Sequence, residues 1–176
     1  RSGCEDPRVV ETEDGKYVMT YTEFRRNGED RLAQLAVATS TDLIHWTKHG
    51  PAFEKLGGDL FREKWSKSGA ILTHLVNGRL LALKLHGKYW MYWGEGEIRL
   101  ASSDDLLNWV PGPVVLKTRS EKFDSALVEA GPPAVMTDHG IVLIYNGKNA
   151  ARNGDNQLKS GAYSGGQALF DSSNPT

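Results

Sequence analysis

The sequence has one cysteine, no long apolar run and almost no net charge. A lone Cys4 excludes an internal disulfide framework and a cysteine-rich zinc site. It also has no evident histidine partner, which argues against thiol catalysis. No apolar stretch approaches the roughly 18 residues of a membrane-spanning helix. A formal net charge of −1 argues against nucleic acid or a membrane surface as partner, because both favour a basic excess. The five histidines, His45, His49, His74, His86 and His139, lack metal-ligand spacing, so no metal and no other cofactor is expected. There is no initiator Met, and SGGQALFDSSNPT at 164–176 stops in what reads as a strand and its turn. The expectation is a piece of a longer chain. On that reading the missing signal peptide is uninformative and the compartment stays open.

What remains is a globular composition, with 39% apolar and 24% charged residues over 176 positions, enough for a real core. Helical periodicity is poor, and 19 glycines and 7 prolines break the chain every few positions. The segments between them read as strands. They also repeat. Ala38-Thr39-Ser40-Thr41-Asp42-Leu43-Ile44-His45-Trp46 recurs as Ala101-Ser102-Ser103-Asp104-Asp105-Leu106-Leu107-Asn108-Trp109. A second family of segments starts at Gly15, Gly87 and Gly140, each a turn glycine followed by an aromatic and β-branched run. The implied unit is a strand, a turn such as Asp14-Gly15, Asn77-Gly78 or His139-Gly140, a second strand, a third ending in A-x-S, a D-L-x-x-W turn, and a fourth strand. In that turn the Asp satisfies backbone N–H groups, while Leu and Trp cover the sheet end. Repeating four-stranded units fit β-propeller blades better than a sandwich. The fold class is therefore all-β, with about three blades at roughly 5–55, 67–118 and 127–176.

Propellers present their chemistry where the innermost strands begin. The three blade starts are Glu5-Asp6-Pro7-Arg8, Lys67-Ser68-Gly69-Ala70-Ile71 and Glu129-Ala130-Gly131-Pro132-Pro133, the last just after Phe123-Asp124-Ser125. Carboxylates and cations converging there suit sugar hydroxyls, an anionic co-substrate and glycosidic cleavage, which needs a proton donor and an activated nucleophile. For Glu5-Asp6-Pro7-Arg8 the plain structural reading is a surface turn with a local salt bridge. Tyr21, Trp90 and Trp93 can stack on sugars, although blade packing is the plainer reading of each. The polar stretch from Asn146 to Gln157 reads as a loop, with Asn149 or Asp155 positioned to contact hydroxyls or simply to face solvent.

Gly-Cys-Glu-Asp-Pro-Arg at 3–8, the D-L-x-x-W turns, Lys-Ser-Gly-Ala-Ile at 67–71, Glu-Ala-Gly-Pro-Pro at 129–133 and the closing YSGGQALFD resemble glycoside hydrolase family 130, over essentially the whole chain and in motif order. The resemblance implies a five-bladed β-propeller and activity on β-mannosides by an inverting mechanism. It implies that Asp6 is the catalytic acid, which in the phosphorylases passes its proton through a mannose hydroxyl, and that Arg8 holds the acid or the sugar. It also implies that Lys67 belongs to the phosphate site of those members. The histidine-arginine pair that would complete that site falls in Tyr92-Trp93-Gly94-Glu95, where neither residue is present.

An anion pocket that loses two donors and gains a carboxylate repels phosphate. The expectation is an inverting glycosidase acting on β-mannosidic bonds in manno-oligosaccharides. Glu95, Glu97, Asp124 and Glu129 are the candidate bases, with Glu95 and Glu129 ahead. Arg8, Lys67, Asp124 and Asp155 are the candidate substrate contacts. The plain reading of Glu97 is a solvated strand residue, and of Asp124 a turn cap. Arg25, Arg26, Lys48 and His49 are alternative cations that keep a phosphorylase making mannose 1-phosphate open, with inorganic phosphate as partner. A catalytically silent carbohydrate-binding propeller is the alternative from another class. A homo-oligomer is compatible with the sequence.

Overall fold

Alternating apolar and polar residues between glycine turns become strands almost throughout. The structure is a computed structural model that describes residues 2–62 and 64–176. Strands β1 (Gly3–Glu11), β2 (Tyr17–Asn27), β3 (Asp30–Ser40) and β4 (Thr47–Pro51) pair in antiparallel succession and form a first blade. A single helical turn, α1 (Asp59–Arg62), sits in the connection to the next. The second blade holds β5 (Gly69–Val76), β6 (Arg79–Ala82), β7 (Lys84–Leu85), β8 (Lys88–Trp93), β9 (Glu97–Ser103) and β10 (Val110–Lys117). The third holds β11 (Leu127–Ala130), β12 (Ala134–Thr137), β13 (Gly140–Lys148) and β14 (Tyr163–Phe170). Both β11 and β12 pair with β13, so they are two halves of one inner strand. They are split at Gly131-Pro132-Pro133, where proline has no N–H to donate to a ladder.

Blade two is buried on both faces, and the period of two explains how. Along β8, Met91 and Trp93 join one core cluster while Tyr92 joins the other. Along β5, Ile71 faces the first cluster, and Ala70 and Leu72 the second. The first cluster adds Val10, Val18, Leu35 and Phe53 from blade one and its following turn; the second adds Val128, Ile141, Leu143 and Tyr145 from blade three. Each core is thus the seam between neighbouring blades.

The repeated A-x-S-x-D-L-x-x-W turns adopt one geometry. Asp42 Oδ1 accepts from the Ile44 and His45 N–H groups, and Asp105 Oδ1 from those of Leu107 and Asn108. Ser40 accepts from the Asp42 and Leu43 N–H groups and Ser103 from those of Asp105 and Leu106, and Leu43 and Leu106 take left-handed φ values of 64° and 66°. Their surroundings differ. Leu106 and Trp109 are buried against blade one, whereas Leu43 is half-exposed.

One expectation is corrected. The sequence reading puts Asn77-Gly78 in the role of Asp14-Gly15, but the structure puts His86-Gly87 there. Strand β5 pairs with β8 only over Gly69–Ile71. From Thr73 it pairs with β6, and β7 then resumes the pairing with β8. Residues 72–83 are therefore a hairpin inserted into the inner strand. The hairpin runs parallel to β12 on one side and touches β1 at Glu11↔Leu81 on the other. Thr73 donates to Ala134 O at 2.7 Å, and Arg79 makes a two-pronged ion pair with Glu11. Three blades are thereby tied together at the ends of the inner strands away from their starts.

Candidate active site

The inner strands of all three blades begin at the same place. Strand β1 is irregular there: its register with β2 shifts between Glu5 and Arg8, and Asp6 takes φ 52°. A left-handed non-glycine residue is uncommon outside turns and is characteristic of functional sites. The shift turns the Asp6 carboxylate toward blade two, where Lys67 Nζ lies 3.3 Å from Oδ2. The same ammonium lies 3.7 Å from Glu129 Oε1 of blade three. One lysine therefore gathers carboxylates from both flanking blades.

Glu129 is fixed by more than that ion pair. Ser68 donates to its Oε1 at 2.6 Å, and the Asn146 amide lies 3.5 Å from its Oε2. Glu95 enters through the backbone. It forms an isolated antiparallel bridge with Glu129, flanked by Gly96 N–H to Val128 O at 2.8 Å and Ala130 N–H to Gly94 O at 3.4 Å. The Glu95 side chain is exposed, and its Oε2 accepts from the Trp65 indole N–H at 3.1 Å. Burial pulls the Lys67 pKa down, but the charges of Glu95, Asp6 and Glu129 outweigh it and hold the ammonium above the ordinary lysine value.

Arg8 is next to this cluster and faces elsewhere. Its guanidinium donates to the carbonyls of Asp6, Ala130 and Gly131, at 2.8 Å and 2.7 Å for the first two. Burial lowers its pKa, opposed by Asp6 and Glu129. These bonds make Arg8 a strut between blades one and three. Arg8 still lines an open cleft of about 450 Å³ with Asp6, Pro7, Gly131, Pro133 and Asn146. A smaller cleft of about 200 Å³ lies beside Glu95, bounded by Trp65, Glu97 and Arg99.

Two expected site residues are not brought to the cluster. Asp124 is fully buried, and its carboxylate is taken up by Arg119 at 3.0 Å and by the Tyr145 hydroxyl at 2.8 Å. That is a structural role, and it matches the turn-side reading of Asp124 rather than a place in the cluster. Asp155 caps its own loop, accepting the Gln157 N–H at 2.9 Å while its backbone bonds both ends of the buried Asn149 amide. Glu97 pairs with Arg99 at 3.1 Å. Tyr21 and Trp93 are core residues, and the half-buried Trp90 donates its indole N–H to Leu85 O. The alternative cations also lie apart. Arg25 binds Gln34, Lys48 sits over the Tyr21 ring near Cys4, and His49 bonds Thr39. The residues that sequence reasoning missed are Ser68, Trp65 and Asn146. Ser68 lay in plain view inside Lys-Ser-Gly-Ala-Ile, but a small hydroxyl carries no signal until its partner is known.

A carboxylate at one blade start, a cation at the next and two carboxylates at the seam between blades two and three make a charged cluster of the kind that suits glycosyl chemistry. The model of glycoside hydrolase family 130, described as beta-1,4-mannooligosaccharide phosphorylase, matches residues 1–175, and the chain belongs to that family. It is 33% identical over 176 residues to the 1,2-beta-oligomannan phosphorylase of Thermoanaerobacter sp. (strain X514), covering 99% of this chain and 49% of that protein. Among solved structures it is similar to a glycosyl hydrolase from Bacteroides ovatus, with 48% identity and a TM-score of 0.92 over 98% of this chain and 49% of that one. It is equally similar to a structure reported under the words "The GH130 family of mannoside phosphorylases contains glycoside hydrolases that target beta-1,2 mannosidic linkages in Candida mannan", with 49% identity, a TM-score of 0.92, and the same 98% and 49% coverage. The chain spans about half the length of these relatives. It supplies about three blades of a five-bladed β-propeller, as the sequence reading expected.

Proposed function

We propose that the whole protein is an inverting glycosidase that removes mannose from β-1,2-linked manno-oligosaccharides. The observation that carries this is the charge balance around Lys67. Asp6, Glu95 and Glu129 act on one ammonium, and the neighbouring Arg8 guanidinium is committed to backbone carbonyls. With Asp6 protonated for its role as acid, a phosphate dianion entering this cluster meets the Glu95 and Glu129 carboxylates beside the Lys67 ammonium, while Arg8 has turned N–H groups onto carbonyls, which is unfavourable in a partly desolvated site. A neutral water meets no such barrier.

The proposed roles follow from position. Asp6 gives its proton to the glycosidic oxygen as the bond to C1 breaks, and the bonding pair leaves with the departing sugar. A water held by Glu129 and Glu95 attacks C1 from the opposite face, and a proton passes from it to one of the two carboxylates. The product is α-mannose. Lys67 keeps Asp6 and Glu129 within 4 Å of a common charge, which supports giving the two carboxylates paired roles. The β-1,2 preference is supported by two relatives, an oligomannan phosphorylase and the Candida mannan hydrolases, whose descriptions both specify that linkage.

Phosphorolysis is the second reading, favoured by the names of the family model and of the Thermoanaerobacter relative. Incubating the full-length protein with β-1,2- and β-1,4-mannobiose, with and without phosphate, separates the readings. Free mannose at a rate indifferent to phosphate supports hydrolysis, and phosphate-dependent mannose 1-phosphate overturns it.

A further inference from the structure

We infer that Ser68 is a positioning residue for the reaction: its hydroxyl fixes the Glu129 carboxylate beside Lys67 and Asp6, and the left-handed backbone at 68 serves to aim it. The inference rests on the role given to Glu129 under Proposed function.

Three observations converge on this residue. Ser68 has φ 57°, a conformation that L residues avoid because Cβ crowds the following carbonyl. It is fully buried, although serine is mostly a surface residue. Its hydroxyl makes a 2.6 Å hydrogen bond to Glu129 Oε1, across a blade seam. A buried, strained serine with a single charged partner is the pattern of strain kept for function.

The surrounding backbone explains how the strain is held. Ser66 accepts from the Leu35 N–H at 3.0 Å, and its own N–H donates to Ala33 O at 2.9 Å, which anchors the segment to blade one. Lys67 O accepts from the Gly94 N–H at 2.9 Å, which anchors it to blade two. Gly69 O accepts from the Thr20 hydroxyl at 2.6 Å. Gly69 itself is closely packed: an added Cβ would lie 2.7 Å from Met91 Sδ and 3.0 Å from Leu35, so those side chains would have to shift. The chain uses glycine at 69, where packing is close. At 68, where glycine would relieve φ, it keeps a hydroxyl.

The chemical consequence concerns which oxygen of Glu129 works. Lys67 and Ser68 both address Oε1. Among the described residues, Oε2 has only the long Asn146 contact. Oε2 is therefore the oxygen that meets the water, and Ser68 stops the carboxylate from rotating that position away.

The test uses the full-length protein, β-1,2-mannobiose as probe, and reactions with and without phosphate. Wild type, Ser68→Ala and Ser68→Gly are compared for kcat, KM and melting temperature. Both variants are expected to lose about 10- to 100-fold in kcat, the size of a lost hydrogen bond to a charged group. KM stays within about twofold, because the hydroxyl holds water's partner rather than sugar. Ser68→Gly melts above Ser68→Ala, because glycine tolerates the left-handed backbone. Wild-type kcat in Ser68→Gly overturns the inference, since backbone shape alone would then suffice. A rise in KM with kcat unchanged also overturns it. Mannose 1-phosphate as product sinks the hydrolase reading instead, and the same kcat comparison still judges Ser68.

Discussion

Glu95 and Glu129 face each other across a single antiparallel bridge at the seam between blades two and three. Their environments differ: Glu129 is tied to Ser68 and Lys67, while Glu95 is exposed and accepts from the Trp65 indole. If the pair activates water, Glu95→Gln and Glu129→Gln each lower hydrolysis by about 10²–10⁴-fold. Azide needs no base, so it restores turnover and yields α-mannosyl azide. Product analysis with azide checks this, and a variant that azide cannot rescue has lost something other than the base.

Asp6 holds a left-handed backbone that asparagine also tolerates. Asp6→Asn in the full-length protein is therefore expected to fold normally and to lose at least about 10²-fold in kcat. Matched melting curves and initial rates decide it. A loss below tenfold removes Asp6 as the acid and means that another group donates the proton.

Lys67 makes alkaline stability a readout of the cluster. Its folded pKa is raised above the ordinary 10.5. The stabilisation is therefore fully present below about pH 10.5 and is lost as pH climbs through the folded value. Lys67→Met leaves three carboxylates without their cation and is expected to cost about 1–3 kcal/mol at pH 7. The gap between wild type and variant stays constant up to about pH 10 and closes above it. Thermal melts from pH 7 to 12 measure the gap. A gap that widens with pH contradicts the arrangement.

The second D-L-x-x-W turn gives an acid-side test. Burial raises the Asp105 pKa, but the Asn108 and Leu107 N–H groups, the Asn108 amide and Ser103 outweigh it and hold it at about 2. Its contribution is present above the unfolded value near 3.8 and is lost as pH falls through about 2. Asp105→Ala is expected to cost about 1 kcal/mol at pH 6, since the group is exposed to solvent. Urea titrations from pH 6 down to pH 2 show the difference shrinking. A constant difference would mean the turn does not need the charge.

Much of this architecture was legible because it repeats. The D-L-x-x-W copies announce equal turns, and the three charged blade starts announce a shared centre. The inserted hairpin was hidden, because Asn77-Gly78 and His86-Gly87 are both left-handed pairs, with φ of 51° and 80° against 54° and 79°. One turn signal therefore served two different jobs. Asp124 was misread for a related reason. Its partner Tyr145 comes from β13, and sequence spacing cannot show that a carboxylate is already satisfied. Arg8 donates to carbonyls, which every residue carries and no motif reveals. Ser68 was missed because its partner lies 61 residues away.

The most direct test of the central claim is one reaction of the full-length protein with β-1,2-mannobiose in ¹⁸O-water containing phosphate, followed by NMR and mass spectrometry. Asp6 as acid, with Glu95 and Glu129 beside Lys67, predicts mannose that appears first as the α-anomer and carries ¹⁸O at C1. Unlabelled mannose 1-phosphate as the main product would contradict the account, and labelled β-mannose appearing first would contradict the inverting geometry.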